Sequence, residues 1–377
     1  MRAAAVASPS SNLSNAPALG IVAFAQTTGF FGAVFPNMNI LFIGGTGNIS
    51  TACTQLALSR GYHVTLLNRS QRDGLPGTEQ LKADISDRAS VEAALGKRHW
   101  DAVVDFIAFT VEDINQRIAL FRGKVGQYIF LSSASAYQKP VTKMPITEST
   151  PLVNPFWEYS RNKIACEERL LGALRDEAFP AVIIRPSLTY GDTIVPLAVN
   201  SWWKSFTIVD RMRRGVPVIV PGDGLTLWTI THNSDFAKGL VGLLGQDRAI
   251  GHAFQITSDE ALTWNEFYVA TAQAAGVAQP KLVHIASDFI TTCLPDTLGS
   301  LLGDKSYTAI FDNSKIRSFV PDFQATTRFR DGIARTISWF DADPSRPIID
   351  DDANASWDKL LAAYDRGLQQ ALRDFGH

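Results

Sequence analysis

The chain has 377 residues, 46% hydrophobic and 19% charged, with 35 Lys and Arg against 37 Asp and Glu for a formal net charge of −2. That length suffices for one large α/β domain with a smaller substrate-covering region, and the composition is that of a folded soluble enzyme. The near-neutral charge argues against polyanion binding as the main activity, so no nucleic-acid partner is expected. The three cysteines, Cys53, Cys166 and Cys293, lie far apart without metal-ligand spacing, which predicts no metal, no disulfide framework and a cytoplasmic location.

Residues 1–37 are rich in Ala, Ser, Gly and Phe and hold no acid; they read as an N-terminal extension, either a targeting segment or residues upstream of a start at Met38. The apolar stretch from Ala18 to Phe35 is interrupted by Gln26, Thr27, Thr28 and three glycines, so no membrane span is expected. Asn39 to Ile43 reads as a strand covered on both faces. It breaks into Gly44-Gly45-Thr46-Gly47-Asn48-Ile49-Ser50 and then a helix over Thr51–Ser59. The Gly44-x-x-Gly47-x-x-Ser50 spacing is that of a dinucleotide fingerprint with serine in the third place. Gly44, Thr46, Gly47, Asn48 and Ile49 would cradle a pyrophosphate at the positive helix end.

A second strand, Gly61–Leu67, ends in Asn68-Arg69-Ser70. An acid here would bind a ribose 2′-hydroxyl; instead Asn68 and Arg69, with Arg72 behind, favour NADP(H) over NAD(H). A third strand (Glu79–Ala83) leads to Asp84-Ile85, a pair placed to border the adenine. A helix over Ser86–Leu95, a fourth strand (Asp101–Ala108), a helix over Val111–Phe121 and a fifth strand (Gln127–Leu131) follow. The fifth strand ends in Ser132-Ser133, and downstream lie Tyr159 and Lys163, four apart and so on one helical face.

Hydride transfer at a carbinol carbon requires a proton to move on its oxygen. A phenol with a reference pKa near 10 needs help to act as base at neutral pH, and an adjacent ammonium is expected to lower that pKa. Ser133 would orient the substrate oxygen, Tyr159 would exchange the proton, and Lys163 would assist it and hold the nicotinamide ribose.

With these motifs in order, the chain resembles the extended short-chain dehydrogenase/reductase superfamily, in its epimerase/dehydratase-like branch, over roughly residues 39–340. The matching stretches are the Gly44/Gly47 turn, Asp84-Ile85, Ser132-Ser133 with Tyr137, Tyr159/Lys163 and Ile184-Arg185-Pro186-Ser187 through Tyr190-Gly191. Gly222-Asp223-Gly224 with Asp235, and Asp312-Asn-Ser-Lys315 to Trp339, continue the likeness. The resemblance implies an α/β fold: a Rossmann-like, doubly wound parallel sheet with a smaller C-terminal substrate-binding region. Residues 38–190 would form the dinucleotide core and 191–377 mostly the substrate region, with some segments returning to the core. Pro186 and Ser187 would lie against the nicotinamide.

The departures bear on chemistry. Ser50 replaces the third glycine, so the first helix would stand further from its strand. Phe106-Ile-Ala-Phe109 stands where many relatives carry His-Leu-Ala-Ala, which would turn an apolar ring toward the cofactor. Ser133-Ala134-Ser135 replaces the Thr-Asp-Glu of sugar-nucleotide dehydratases, and Trp228 falls where an arginine clamps a nucleotide diphosphate. A small-molecule substrate other than a nucleotide sugar is therefore expected.

In the substrate region, Trp202 and Trp203 would wall an apolar pocket or pack the lobes together. Arg211, Arg213 and Arg214 read as a solvated helix end, and His232 and His284 as structural. Asp304-Lys305-Ser306-Tyr307 is a polar patch in an apolar stretch that could reach the cleft. Asn354–Phe375 reads as an amphipathic helix packing on the body or on a second copy, which would allow a homodimer. Three readings follow: an NAD(P)-dependent oxidoreductase acting on a carbonyl or alcohol, an epimerase that retains its cofactor, and an RNA-binding member resembling chloroplast stem-loop binding proteins. The intact Ser133/Tyr159/Lys163 set and the absence of a basic run weigh against the last.

Overall fold

The computed structural model describes residues 37–69 and 74–376; residues 1–36 of the N-terminal extension, and Arg72, lie outside this range. The first strand, β1 (Asn39–Ile43), has Ile40 to Ile43 fully buried, as the unbroken apolar run requires. Each such side chain contributes about 1.5–3 kcal/mol by leaving water. There follow α1 (Asn48–Ser59), β2 (His63–Asn68), β3 (Glu79–Lys82), α2 (Arg88–Leu95), β4 (Trp100–Asp105), α3 (Val111–Phe121), β5 (Val125–Leu131), α4 (Glu158–Glu177) and β6 (Ala181–Pro186).

A seventh strand, Ala253–Ile256, returns from beyond residue 190 to pair in parallel with β6. The sheet is wholly parallel, in the order Ala253–Ile256, β6, β5, β4, β1, β2, β3. Strand order reverses between β1 and β4, so a crevice opens at their carboxyl ends. One face is covered by α1 and the helix Asn233–Leu243, which bring Cys53, Ala57, Phe236 and Leu240 into one core with Phe42 and Val104. The other face carries Ile114, Ile118, Cys166 and Leu170 of α3 and α4.

The helix α3 has the bounds that its sequence predicts, because Thr110 and Asp113 form a reciprocal capping box. The strand β4 is shorter than expected. It stops at Asp105, whose carboxylate accepts the amides of Ile107 and Ala108 at 2.9 Å each and so turns the chain out of the sheet. A second core, around Trp228, Trp264, Phe267 and Phe329, lies above the carboxyl ends. Arg211 corrects the expectation of a solvated helix end. It is 1% exposed and donates to the Pro217 carbonyl, Asn354 and Asp358, anchoring the C-terminal helix Asp351–Asp374.

Candidate active site

The crevice begins at the glycine turn. Gly44 has φ +90°, and a Cβ there would lie 2.7 Å from Ile107; one at Gly45 would lie 2.4 Å from Leu66. At Gly47 a Cβ would meet nothing nearer than the Ser50 hydroxyl at 3.4 Å, so open space borders the start of α1. Ser50 closes the turn from inside, accepting the Gly47 amide at 2.7 Å and donating to the Gly44 carbonyl at 3.2 Å. The Thr46 amide folds back onto Gly44 at 2.7 Å. The first amides of α1, Asn48 and Ile49 among them, have no acceptor inside the helix. A pyrophosphate fits this cradle of positive helix end and missing side chains.

Asn48 also holds the turn in place. Its amide donates to the Thr189 carbonyl at 2.9 Å, and Asn233 donates to the Asn48 carbonyl at 2.8 Å. At the other end of the crevice, Asn68 donates to Gln80, and Arg69 is exposed at the end of β2. Hydrogen bonds from Ser86, reinforced by the charge of Arg69, hold the Asp84 carboxyl below its ordinary range. Ile85 packs into the core, with its carbonyl facing Arg117. Pro186 ends β6, and the Ser187 hydroxyl is shared with Thr231 at 2.9 Å.

Ser133, Tyr159 and Lys163 come together above this cradle. The Ser133 hydroxyl borders the Tyr159 phenol closely enough to favour its phenolate, and itself lies 2.8 Å from the hydroxyl of Ser135. Lys163, one turn further along α4, is 2% exposed and donates to the carbonyls of Ala108 and Leu131, both at 2.7 Å. An ammonium carries three donors, so one remains for a cofactor hydroxyl. The ammonium also lies 4.4 Å from the Phe109 ring, 4.8 Å from Phe130 and 5.7 Å from Tyr159.

The electrostatics differ from the sequence expectation. Burial pushes the Tyr159 phenol up to about 12, and burial pulls Lys163 down to about 8. The ammonium points at two carbonyls rather than at the phenol oxygen, so loss of water outweighs its help. The apolar ring beside Tyr159 and Lys163 is Phe109; Phe106 instead packs edge-on against Phe42 in the core.

Sequence reasoning missed two buried networks. Asp105 accepts from Arg117 at 2.9 Å and from Tyr128 at 3.0 Å while shaping the loop that carries Ala108. Glu167 accepts the Ser132 hydroxyl and a fork from Arg185, so Ser132 is structural and only Ser133 faces Tyr159. Both had a visible signal, a charge inside an apolar run, which must find a partner when buried. Trp202 and Trp203 are 61% and 89% exposed and neither wall a pocket nor join the lobes. Trp228 is buried against Trp264, ring centroids 5.4 Å apart. His232 accepts the Ser234 amide as a helix cap, and His284 bonds Asn265. Among the described residues there is no metal-ligand cluster and no helix long and apolar enough to cross a membrane.

Residues 40–257 match the model of the NAD dependent epimerase/dehydratase family. The chain is 25% identical over 294 residues to 2′-dehydrokanamycin reductase of Streptomyces kanamyceticus, covering 76% of this chain and 80% of that one. It is 28% identical over 260 residues to chloroplast stem-loop binding protein of 41 kDa b of Arabidopsis thaliana, covering 65% of each. Among solved structures, an epimerase of Methanothermobacter thermautotrophicus superposes with a TM-score of 0.67 at 17% identity, covering 82% of this chain and 94% of that one; this likeness speaks for the fold.

Proposed function

The chain belongs to the NAD dependent epimerase/dehydratase family and is an enzyme; from that premise we propose that it reduces a carbonyl on a small organic molecule other than a nucleotide sugar, with NADPH as reductant. The observation that carries this reading is the closeness of the Tyr159 phenol to both the Ser133 hydroxyl and the Lys163 ammonium. A bound nicotinamide supplies the hydride to the carbonyl carbon. Ser133 orients the carbonyl oxygen by a hydrogen bond. That oxygen takes the carbonyl electron pair and then the phenolic proton of Tyr159, and the phenolate left behind regains a proton from solvent. The carbonyl is reduced and the nicotinamide oxidised.

A phenol held near 12 is a proton donor at neutral pH, which suits reduction better than oxidation. Arg69, with no acid at the end of β2, supports the 2′-phosphate. Trp228 in place of a diphosphate-clamping arginine supports a substrate that is not a nucleotide sugar. Nucleic acid has no part in this reading, given a net charge of −2, although one relative is a stem-loop binding protein. The buried thiols of Cys53 and Cys166 suit a reducing, cytoplasmic compartment.

Replacing Tyr159 with Phe should cut turnover of NADPH against a carbonyl panel by about 10²–10⁴-fold. A fluorescence titration should show cofactor binding intact in that variant. Undiminished turnover would remove the acid, and substrate conversion without net NADPH consumption would move the reading to an epimerase. Arg69→Ala should weaken NADPH and leave NADH unchanged. Equal binding of the two cofactors, unmoved by the substitution, would overturn the 2′-phosphate argument.

A further inference from the structure

Near Tyr159, across the Trp157 ring, lies a charged cluster that the proposed reaction does not use. Leu301–Lys305 forms one wide π-helical turn, a feature frequent at functional sites. The turn and the residues just before it lodge on Trp157 so closely that a Cβ at Gly299 would sit 2.1 Å from the indole and one at Gly303 2.9 Å from the Trp157 Cβ. The turn buries Asp304 and Lys305, 9% and 6% exposed, beside Lys139 at 3%.

Asp304 lies 4.0 Å from the Lys139 ammonium and 3.8 Å from that of Lys305, beyond hydrogen-bonding reach of both. Among the described residues, the only hydrogen bond made by either ammonium is a long one, 3.5 Å, from Lys305 to the Ser300 carbonyl. Asp304 is, among the described residues, the acid whose charge acts on both lysines. Two buried lysines thus share one carboxylate; burial draws both ammonium groups below their ordinary range and raises Asp304, so an added anion would stabilise the charged lysines. Next to them the Ser306 hydroxyl is buried with no partner among the described residues.

The cluster borders the reacting groups. The charge of Asp304 bears on the Tyr159 phenol. The Trp157 ring lies 6.0 Å from the Lys305 ammonium and 4.9 Å from the Tyr159 ring. Asn154 donates to the carbonyls of Ser135 and Gly303, tying the π turn to the loop that carries Ser133. We propose that Lys139, Lys305 and Ser306 hold a carboxylate of the substrate, which makes the substrate an oxo acid and the product a hydroxy acid. One excess cation matches a single monoanion; a phosphate dianion would overfill the site, and a neutral ketone would leave the charge unanswered. The carboxylate takes no part in the chemistry: hydride reaches the carbonyl carbon and the proton its oxygen, as above.

The inference rests on the reductase reading, and the test separates the two. The full chain saturated with NADPH is titrated with 2-, 3- and 4-hydroxy carboxylates, which form dead-end complexes, and with their amides at constant ionic strength. Thermal unfolding is the readout. At least one carboxylate should raise the melting temperature by several degrees while its amide does not, and Lys139→Met and Lys305→Gln should each erase the shift. Lys139→Met should also raise the basal melting temperature, because the unpaired charge is gone. Amides that stabilise as well as carboxylates, or carboxylates without effect while NADPH still binds, overturn the carboxylate site and leave the reductase standing. Failure of NADPH to bind would instead strike the reductase reading itself.

Discussion

The Lys163 ammonium donates to the Ala108 and Leu131 carbonyls and faces three aromatic rings, yet loss of water still draws its pKa from 10.5 to about 8. Between pH 8 and 10.5 the unfolded chain therefore holds more protons at this site than the folded chain does, so stability rises with pH across that window. Set against a Lys163→Met variant, which lacks the titration, the wild type should gain up to about 3 kcal/mol between those limits. Urea unfolding at a series of pH values measures this, and a constant difference between the two would refute the buried-ammonium account. Tyr159 acts in the opposite sense: its folded value near 12 lies above the ordinary 10, so its contribution fades as pH climbs past 10. The pairing of Tyr159 with Lys163 was legible from their spacing alone. The direction of the phenol's shift was not, because it depends on where the ammonium points, and two carbonyls from distant strands and loops decide that.

Among the elements, β4 and the loop after it position the site. Asp105 is fully buried and ends the strand by accepting two amides, and it neutralises Arg117, itself 1% exposed. Asp105→Asn keeps the shape but leaves the guanidinium without a counter-charge, and removing one partner of a buried pair typically costs about 3–5 kcal/mol. Chemical denaturation should show a loss of that order, and a loss below about 1 kcal/mol would mean that Arg117 finds another acceptor. Local chemistry explains which elements could be read in advance. The helix α3 was legible because its capping box is a four-residue affair. The end of β4 was not, since the apolar pattern continues through Phe106 to Ala108 while a side chain bends the backbone away. Arg211 shows the same limit: its place at a helix end suggests solvent, but the C-terminal helix, 140 positions on, covers it.

In the molecule as a whole, the glycine turn is locked to the segments beyond residue 187 by a clasp of amides. Asn48 reaches Thr189 and Asn233 reaches Asn48, and a side chain at Gly191 would collide with Asn233 at 2.2 Å. Removing the clasp with Asn233→Ala should cost about 1 kcal/mol, seen as roughly fivefold weaker NADPH binding in a fluorescence titration. Unchanged affinity would show that the turn stands without its brace. By itself the sequence determined the parallel sheet, the glycine turn and the Tyr159/Lys163 face, because each is written in residues close together whose periodicity or spacing has few physical solutions. Only the tertiary structure decided the state of the phenol, the partner of Arg211, the exposure of Trp202 and Trp203, and the meeting of Lys139 with Asp304 and Lys305. Those depend on burial and on contacts between segments far apart in the chain, where dielectric and geometry are set by the fold.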